Sequence, residues 1–469
     1  MSNPQDQSVK KVALAVTTMT GFLSAFMGSA VNVALPAIEK EFTLNTVLLG
    51  WVAMSYMLSI AMFLIPFGKV ADMYGRKKIF TYGIAVYTLT SLLSALAPSV
   101  FFLIGCRIAQ GIGAAMIFGT GTAILTSVFP QSERGKVLGI NVAATYTGLS
   151  IGPVLGGFLT QQFDWRSIFI VNAATGGLIL VATLWKLKGE WGGARGEKFD
   201  WAGSLLAGGL LAALMAGLSR LPSPVGGGLI LAGGAMLAAF VRWELRVPYP
   251  VLNMRLFSHN RVFAFSNLAA LINYSATAGV GFLLSLYLQY IKGLNPQQAG
   301  LILMAQPVIQ ALFSPLAGRL SDRIESRTLA SAGMGLIVVG LGLLTLLNEQ
   351  TSEVLIIGIL MLLGLGFALF SSPNTNAIMS SVEKPFYGVA SATLAAMRSI
   401  GQMLSIGLAT MIFTLHLGNV RITPAFYAPF LTSVRIAFLV FAALCLGGIF
   451  ASLARGKRQA SAHESHEDF

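Results

Sequence analysis

Apolar runs of roughly 20 residues, the length at which an α-helix crosses about 30 Å of hydrocarbon, recur from one end of this chain to the other. Backbone placed in lipid finds no water for its N–H and C=O groups, so such runs fold as helices rather than open strands. Punctuated by charges, Pro and Gly, they fall near 12–35, 46–67, 79–97, 101–126, 137–160, 166–186, 201–219, 226–243, 263–287, 297–317, 328–347, 354–379, 389–415 and 431–453. That makes fourteen spans. Between the seventh and eighth, SRLPSPVGGG reads either as a loop joining two full spans or as a break within a re-entrant hairpin. A soluble fold of 469 residues with 55% hydrophobic and 10% charged content would lack the polar surface to cover itself, so the fold class is an all-α polytopic membrane protein.

The basic residues give an independent reading, because loops on the cytoplasmic side hold the positive excess. Of 31 Lys and Arg, 23 lie in the N-terminal tail, the loops after even-numbered spans and the C-terminal tail. Six (Lys40, Arg166, Arg220, Lys292, Arg421 and Arg435) border the opposite face, and two, Arg107 and Arg398, lie inside spans. Both termini are therefore expected in the cytoplasm, in a multi-pass protein of a cytoplasmic (inner) membrane. The net charge of +13 borders membrane faces rather than forming one patch, which argues against a nucleic-acid partner. Cys106 and Cys445 fall in different spans and read as small buried hydrophobes, with no disulfide or metal implied. The polar N-terminal tail leads into a segment longer than a signal-peptide core, so no cleavable signal is expected.

GKVADMYGRKKIF at 68–80 follows span two, and GRLSDRIESR at 318–327 follows span ten. With spans seven and eight set aside, both echoes sit after the second helix of a six-helix half, the pattern of an internal repeat. The expected plan is a tail at 1–11, a six-helix bundle over 12–186, an inserted pair with its loops over 187–262, a second six-helix bundle over 263–453 and a tail at 454–469. Repeats enclosing a central cavity are a common transporter plan. No loop is long enough for a folded domain, and no P-loop, HExxH or nucleophile elbow is present, so neither an enzyme nor a cofactor is expected.

Three motifs carry candidate roles. In the first, Gly68 and Gly75 permit close approach and a tight turn, while Asp72 can cap a helix or pair with Arg76, beside Lys77. Echoed at Gly318, Asp322 and Arg323, it reads either as a conformational gate or as a capped positive-inside loop. In IGCRIAQGIGAA, Arg107 and Gln110 stand one turn apart. Facing lipid, Arg107 would cost roughly 2.5–3.5 kcal/mol, so it is expected to face protein or a cavity, as a relay or as a structural hub. In GLSIGPVLGG, Gly148, Gly152, Pro153, Gly156 and Gly157 combine small-residue spacing with a kink, as a hinge or as ordinary helix packing.

Taken in this order, GKVADMYGRKK, RIAQGIGAA and GLSIGPVLGG resemble the signatures of the major facilitator superfamily. Fourteen spans, the FDWAG lead into span seven and VLNMRLFSHNRVFAFSN before span nine are similar to its fourteen-span drug:proton antiporter branch. The resemblance implies a 6 + 2 + 6 major facilitator fold that exports small molecules by rocking of two bundles, with protons as coupling ion. It implies gating roles for Gly68, Asp72, Gly75, Arg76 and Lys77, a relay or structural role for Arg107, and a hinge at Gly152 and Pro153. TLAAMRSIGQMLSIGLA, around Arg398, is similar to the family's span-thirteen pattern and marks a second internal hub.

In SAFMGSAVNVALP of span one, the family's alignment puts Met27 where many members carry an Asp for proton or cation handling. None of the eighteen acids and none of the four histidines falls at mid-span. Arg107 and Arg398 do not deprotonate, so neither carries a proton itself. The cavity is thus expected to be neutral or electropositive, favouring neutral, amphiphilic or anionic cargo over an obligate dication. The leading expectation is an exporter of drug-like or amphiphilic compounds, and the alternative is a carrier of a small anionic metabolite. Candidate cavity residues are Asn32, Asn141, Tyr146, Asn267, Asn273, Tyr274, Gln306, Gln310 and Asn374, each also able to serve as an interhelical hydrogen bond.

Overall fold

The structure is a computed structural model that describes residues 4–192, 198–321, 323–383 and 386–456. Among these, helices follow in the order α1 (Pro4–Phe42), α2 (Thr46–Tyr74), α3 (Arg76–Ala95), α4 (Val100–Val128), α5 (Gln131–Gln162) and α6 (Arg166–Lys186). A pair follows, α7 (Trp201–Leu218) and α8 (Pro224–Glu244), then the short α9 (Met254–His259). The remainder is α10 (Arg261–Thr277), α11 (Gly279–Leu286), α12 (Pro296–Leu303), α13 (Ala305–Leu320), α14 (Ser326–Leu344), α15 (Glu353–Ser380), α16 (Tyr387–His416) and α17 (Tyr427–Ala454).

Thirteen of the described helical segments are long and apolar enough to cross a membrane, with α10 to Ile291 and α12 with α13 each counting as one. The fourteenth span is α3, 20 residues whose first turn, Arg76, Lys77 and Lys78, dilutes an otherwise apolar helix. The fold is the all-α polytopic plan of fourteen crossings. Of the two readings of SRLPSPVGGG, the structure takes the loop: α7 and α8 are separate helices, with Ser223 accepting from Gly226 N–H at the head of α8. The cysteines are free and buried.

Local chemistry sets the helix starts. Asn45, Ser99, Asp200, Asn260 and Ser352 each accept a first-turn N–H, and Asn295 with Gln298 forms a reciprocal capping box. Span one extends past Pro36 to Phe42, beyond the expected end at 35, and so carries Glu39 and Glu41 on ordered helix. Span nine is broken at Ala278 and ends in a π-turn over Tyr287–Ile291. Ser405 Oγ accepts from Gly279 N–H at 2.8 Å across the break, supplying a backbone donor with a partner that lipid could not.

Helices α1 to α6 pack among themselves, as do α10 to α17, while α7 and α8 pack on each other and α7 touches α2 and α16. The six-helix groups meet along α5 with α12 and α13, α2 with α16, and α1 with α11. At the α5–α12 crossing the backbones come so close that a Cβ on Gly157 would strike the Pro296 carbonyl, and one on Gly300 the Pro153 carbonyl. Such proximity is how helices gain dispersion contact in lipid, where the hydrophobic effect offers nothing. Further bonds join the groups beside it: Ser285 Oγ to Asn32 O at 2.8 Å, Gln289 Nε2 to Val33 O at 3.0 Å, and Thr46 N to Val420 O at 3.1 Å. All lie at the end of the bundle away from the chain termini. Towards the termini α5 loosens, and Gly135 and Gly139 have no neighbour within 4 Å of a Cβ position.

Gly157→Val should therefore hold that end apart while leaving each six-helix group intact. With Cys106 and Cys445 replaced by Ala, an Asn32→Cys reporter is expected to react faster with an impermeant maleimide applied from that side. Unchanged labelling would remove the crossing as the closing contact.

Candidate functional site

Asp72, on the last turn of α2, accepts from Arg76 Nε at 2.7 Å, across a junction formed by Gly75 at φ 115°. That left-handed conformation suits glycine and turns α2 directly into α3. Arg76 Nη1 also donates to Ser127 Oγ at 2.6 Å and Ala123 O at 3.2 Å, tying the junction to the end of α4. Gly68 faces α4 at Gly119, where the backbones nearly touch: a Cβ on Gly119 would lie 3.2 Å from Gly68 N. Gly75 supplies no side-chain cap for α3, and Glu190, from the loop after α6, takes that place by accepting from Lys77 N–H at 2.9 Å. The sequence held no signal for Glu190, because its partner is 113 residues away.

The C-terminal echo is built differently. Gly318 has no neighbour within 4 Å of a Cβ position, Arg323 forms no ion pair among the described residues, and Asp322 lies outside the described residues. Asn376 Nδ2 reaches this turn instead, donating to Ser321 Oγ at 2.7 Å.

Arg107 is 1% exposed, inside the first helical group. Its guanidinium lies 4.5 Å over the Tyr56 ring, Nη1 donates to Gln110 Oε1 at 2.7 Å, and Nε reaches Val52 O at 3.4 Å. Gln110 Nε2 donates to Ser91 Oγ at 2.7 Å, Asn172 Nδ2 donates to the same oxygen at 2.8 Å, and Tyr87 OH donates to Asn172 Oδ1 at 3.3 Å. These partners are neutral, so ring, amide and carbonyl dipoles stabilise the cation. Tyr56, Tyr87, Ser91 and Asn172 were not singled out from the sequence, since a lone Tyr or Ser in an apolar run carries no signal until its neighbour helix is known.

Arg398 occupies a related position in the second group, 5.6 Å over the Tyr274 ring, with Nη2 donating to Thr375 Oγ1 at 2.9 Å and Nε buried without a partner. Tyr146 of α5 bonds Ser371 of α15 at 2.9 Å, a polar link between the two groups near mid-span. Asn374 and Asn267 are each half satisfied, through Ser266 O at 3.1 Å and Phe263 O at 2.9 Å. Both side-chain atoms of Asn273 and Nε2 of Gln310 are buried without partners. Asn32 and Gln306 are half-buried, and their backbone carbonyls rather than their side chains meet neighbours, Ser285 and Gly364. Asn141 approaches Gly21 of α1. Of the candidate polar residues, Tyr274 lies beside Arg398 and Asn374 bonds α10 at Ser266, whereas Asn32 and Asn141 meet other helices, so the contacts do not join the candidates into one ring. Of the five residues expected to form a hinge, Gly148, Gly152 and Gly156 seat α1 within the first group, and Pro153 and Gly157 seat α12 of the other.

At the closed end, Glu39 is 6% exposed and joins the groups, accepting from Arg421 Nε at 2.9 Å and Tyr290 OH at 3.2 Å. Two residues on, Glu41 is held inside the first group by Arg166 at 2.5 and 2.6 Å and Trp165 Nε1 at 2.7 Å. Among the described residues no group of three or more His, Cys, Asp or Glu is placed to hold a metal ion.

The family model described as Major Facilitator Superfamily matches residues 17–218 and 266–468. This chain belongs to the major facilitator superfamily. Among its relatives are the Multidrug resistance protein Stp of Mycobacterium tuberculosis, 34% identical over 83% of this chain and 73% of that protein, and a riboflavin transporter of Clostridioides difficile, 30% identical over 86% and 88%. The puromycin resistance protein of Streptomyces alboniger is 30% identical over 86% of this chain and 81% of its own length. A bacterial homologue of the human lysosomal transporter Spinster, solved in an inward-facing, unoccupied conformation, shares the fold at TM-score 0.71 and 16% identity, covering 97% of this chain and 98% of that one. This major facilitator protein is thus a multi-pass transporter of small molecules in the cytoplasmic membrane, resembling the drug-efflux members, and not an enzyme.

Removing Arg107 leaves Gln110 Oε1 without its donor in the core, whereas Asp72 and Arg76 are 36% and 22% exposed at their side chains. Arg107→Ala is therefore expected to lower stability by about 1–3 kcal/mol, and Asp72→Asn by less than about 1 kcal/mol. Thermal unfolding of the two purified variants checks the ordering.

Proposed function

We propose that this transporter exports drug-like or amphiphilic organic compounds from the cytoplasm by alternating access, in exchange for protons. The observation that carries the reading is the one-sided seam: the two groups are bonded at the end away from the termini and loosen towards the termini. The bias of Lys and Arg assigns the termini to the cytoplasm, so the seam faces outside and cargo enters from within. Relatives named for multidrug and puromycin resistance support the cargo class.

Proton exchange needs a group whose charge changes as access alternates. Met27 is fully buried and apolar, so span one offers none at that position. Glu39 is a buried carboxylate that touches both groups. Loss of its bond to Arg421 would loosen the seam and open the transporter outward for release. The Asp72–Arg76 junction then acts as the matching cytoplasmic gate, and Gly152 and Pro153 as the bend in α5. Arg398, with an unpartnered Nε, supports a second reading in which cargo is a small anion.

Flux of a chemically diverse panel in proteoliposomes, with pH gradient and voltage imposed separately, tests these readings. Export of amphiphilic cargo should follow the pH gradient, and Glu39→Gln should remove that dependence while downhill flux persists. Flux driven by voltage alone would eliminate proton exchange. A panel response confined to anions would favour the second reading.

A further inference from the structure

At the end of the bundle that carries the termini, the second helical group holds a half-open polar cavity of about 670 Å³ between the starts of α10 and α14 and the ends of α15 and α17. Its described lining includes Arg261, Arg323, Arg327 and Arg455 and one described carboxylate, Glu325, which is already paired with Arg327 at 2.8 Å, while Asp322, between the lining residues Ser321 and Arg323, lies outside the described residues. Arg455 is 2% exposed. Its Nε donates to Ser452 O at 2.8 Å and its Nη2 to Ser452 Oγ, which fixes the guanidinium, while Nη1 is buried without any partner. A guanidinium anchored on one side and unsatisfied on the other is costly to bury unless something anionic completes it.

Two further features have the same sign. Helix α14 begins at Ser326 without a side-chain cap, so its first N–H groups and the positive end of its dipole meet the cavity. Two carbonyls at the other helix ends are already taken: Ala454 O by Arg261 Nε at 2.9 Å, and Ser381 O by Asn260 Nδ2.

We propose that this cavity binds the phosphate group of an anionic ligand, with Arg455 Nη1 as the central donor and Arg261 and Arg323 at its mouth. The volume is that of a small-molecule site, larger than a bare phosphate needs, so the ligand carries the phosphate on an organic body. Two sources present that chemistry at this face, the headgroup of an anionic phospholipid and a soluble phosphate ester. Bound there, the ligand ties α10, α14 and α17 together at the end where the two helical groups are loose. The site lies inside one group, away from the seam, and does not depend on what the transporter carries.

The test uses full-length protein stripped of lipid in a neutral detergent. At constant ionic strength it is titrated with glycerol 3-phosphate, against chloride, and with short-chain phosphatidylglycerol, against phosphatidylcholine. The unfolding midpoint is followed throughout. A saturable rise with either phosphate probe, absent with both controls, is expected, and Arg455→Gln should weaken it about tenfold or more. Should that variant fail to fold, Arg261→Gln, which alters the mouth, is expected to weaken it in the same direction. Response to both probes identifies the phosphate group as sufficient, response to phosphatidylglycerol alone selects the lipid, and response to glycerol 3-phosphate alone selects a soluble ester. No saturable response in the unaltered protein, or an unchanged response in the folded variants, overturns the proposal.

Discussion

The contact on which the rest of the structure depends is the crossing of α5 and α12, where Gly157 meets the Pro296 carbonyl and Gly300 meets the Pro153 carbonyl. Two helices lose little by separating in lipid unless their backbones come close enough for dense dispersion contact, and here closeness requires that no Cβ stands between them. Because that contact is backbone against backbone, it sets the register for its neighbours. Ser285 reaches Asn32 O, Tyr146 reaches Ser371, and Glu39 reaches Arg421 from positions that α5 and α12 hold fixed.

Charge is distributed to fit that mechanical plan. Arg107 and Arg398 lie within the spans, yet their partners are tyrosine rings, an amide, a hydroxyl and a carbonyl rather than acids. The described carboxylates that form ion pairs sit at helix ends or beside them: Asp72 at the α2–α3 junction, Glu41 and Asp164 near Arg166, Glu325 with Arg327, and Glu39 at the seam. The ion-paired acids thus stand near the membrane faces, and the described groups at mid-span are fixed cations and neutral polar side chains. The span-one position held by Met27 is consistent with that arrangement.

Much of the fold was legible because lipid leaves a helix few alternatives. Fourteen spans, free buried cysteines and the burial of Arg107 beside Gln110 all follow from run length and the cost of exposing charge to hydrocarbon. The reading was weaker where a helix leaves the membrane: α1 continues past Pro36, since nothing in the local sequence stops a helix that tertiary partners go on supporting. The repeat of GKVADMYGRKK in GRLSDRIESR was visible as residue types. Its two copies differ in surroundings, with Gly68 packed against α4 and Gly318 open.

By itself the sequence determined how many times the chain crosses the membrane, which face carries the basic residues, and which family's motifs stand in which spans, because these depend on composition and spacing along the chain. The tertiary structure alone decided which groups meet: Glu190 capping α3, Ser91 and Asn172 completing the Arg107 network, and Glu39 bound to Arg421 across 382 residues. Partners that far apart are brought together by helix rotation and register. A few tens of degrees about a helix axis separates a lipid-facing side chain from a bonded one, and no pattern of residue types along one apolar helix fixes that angle.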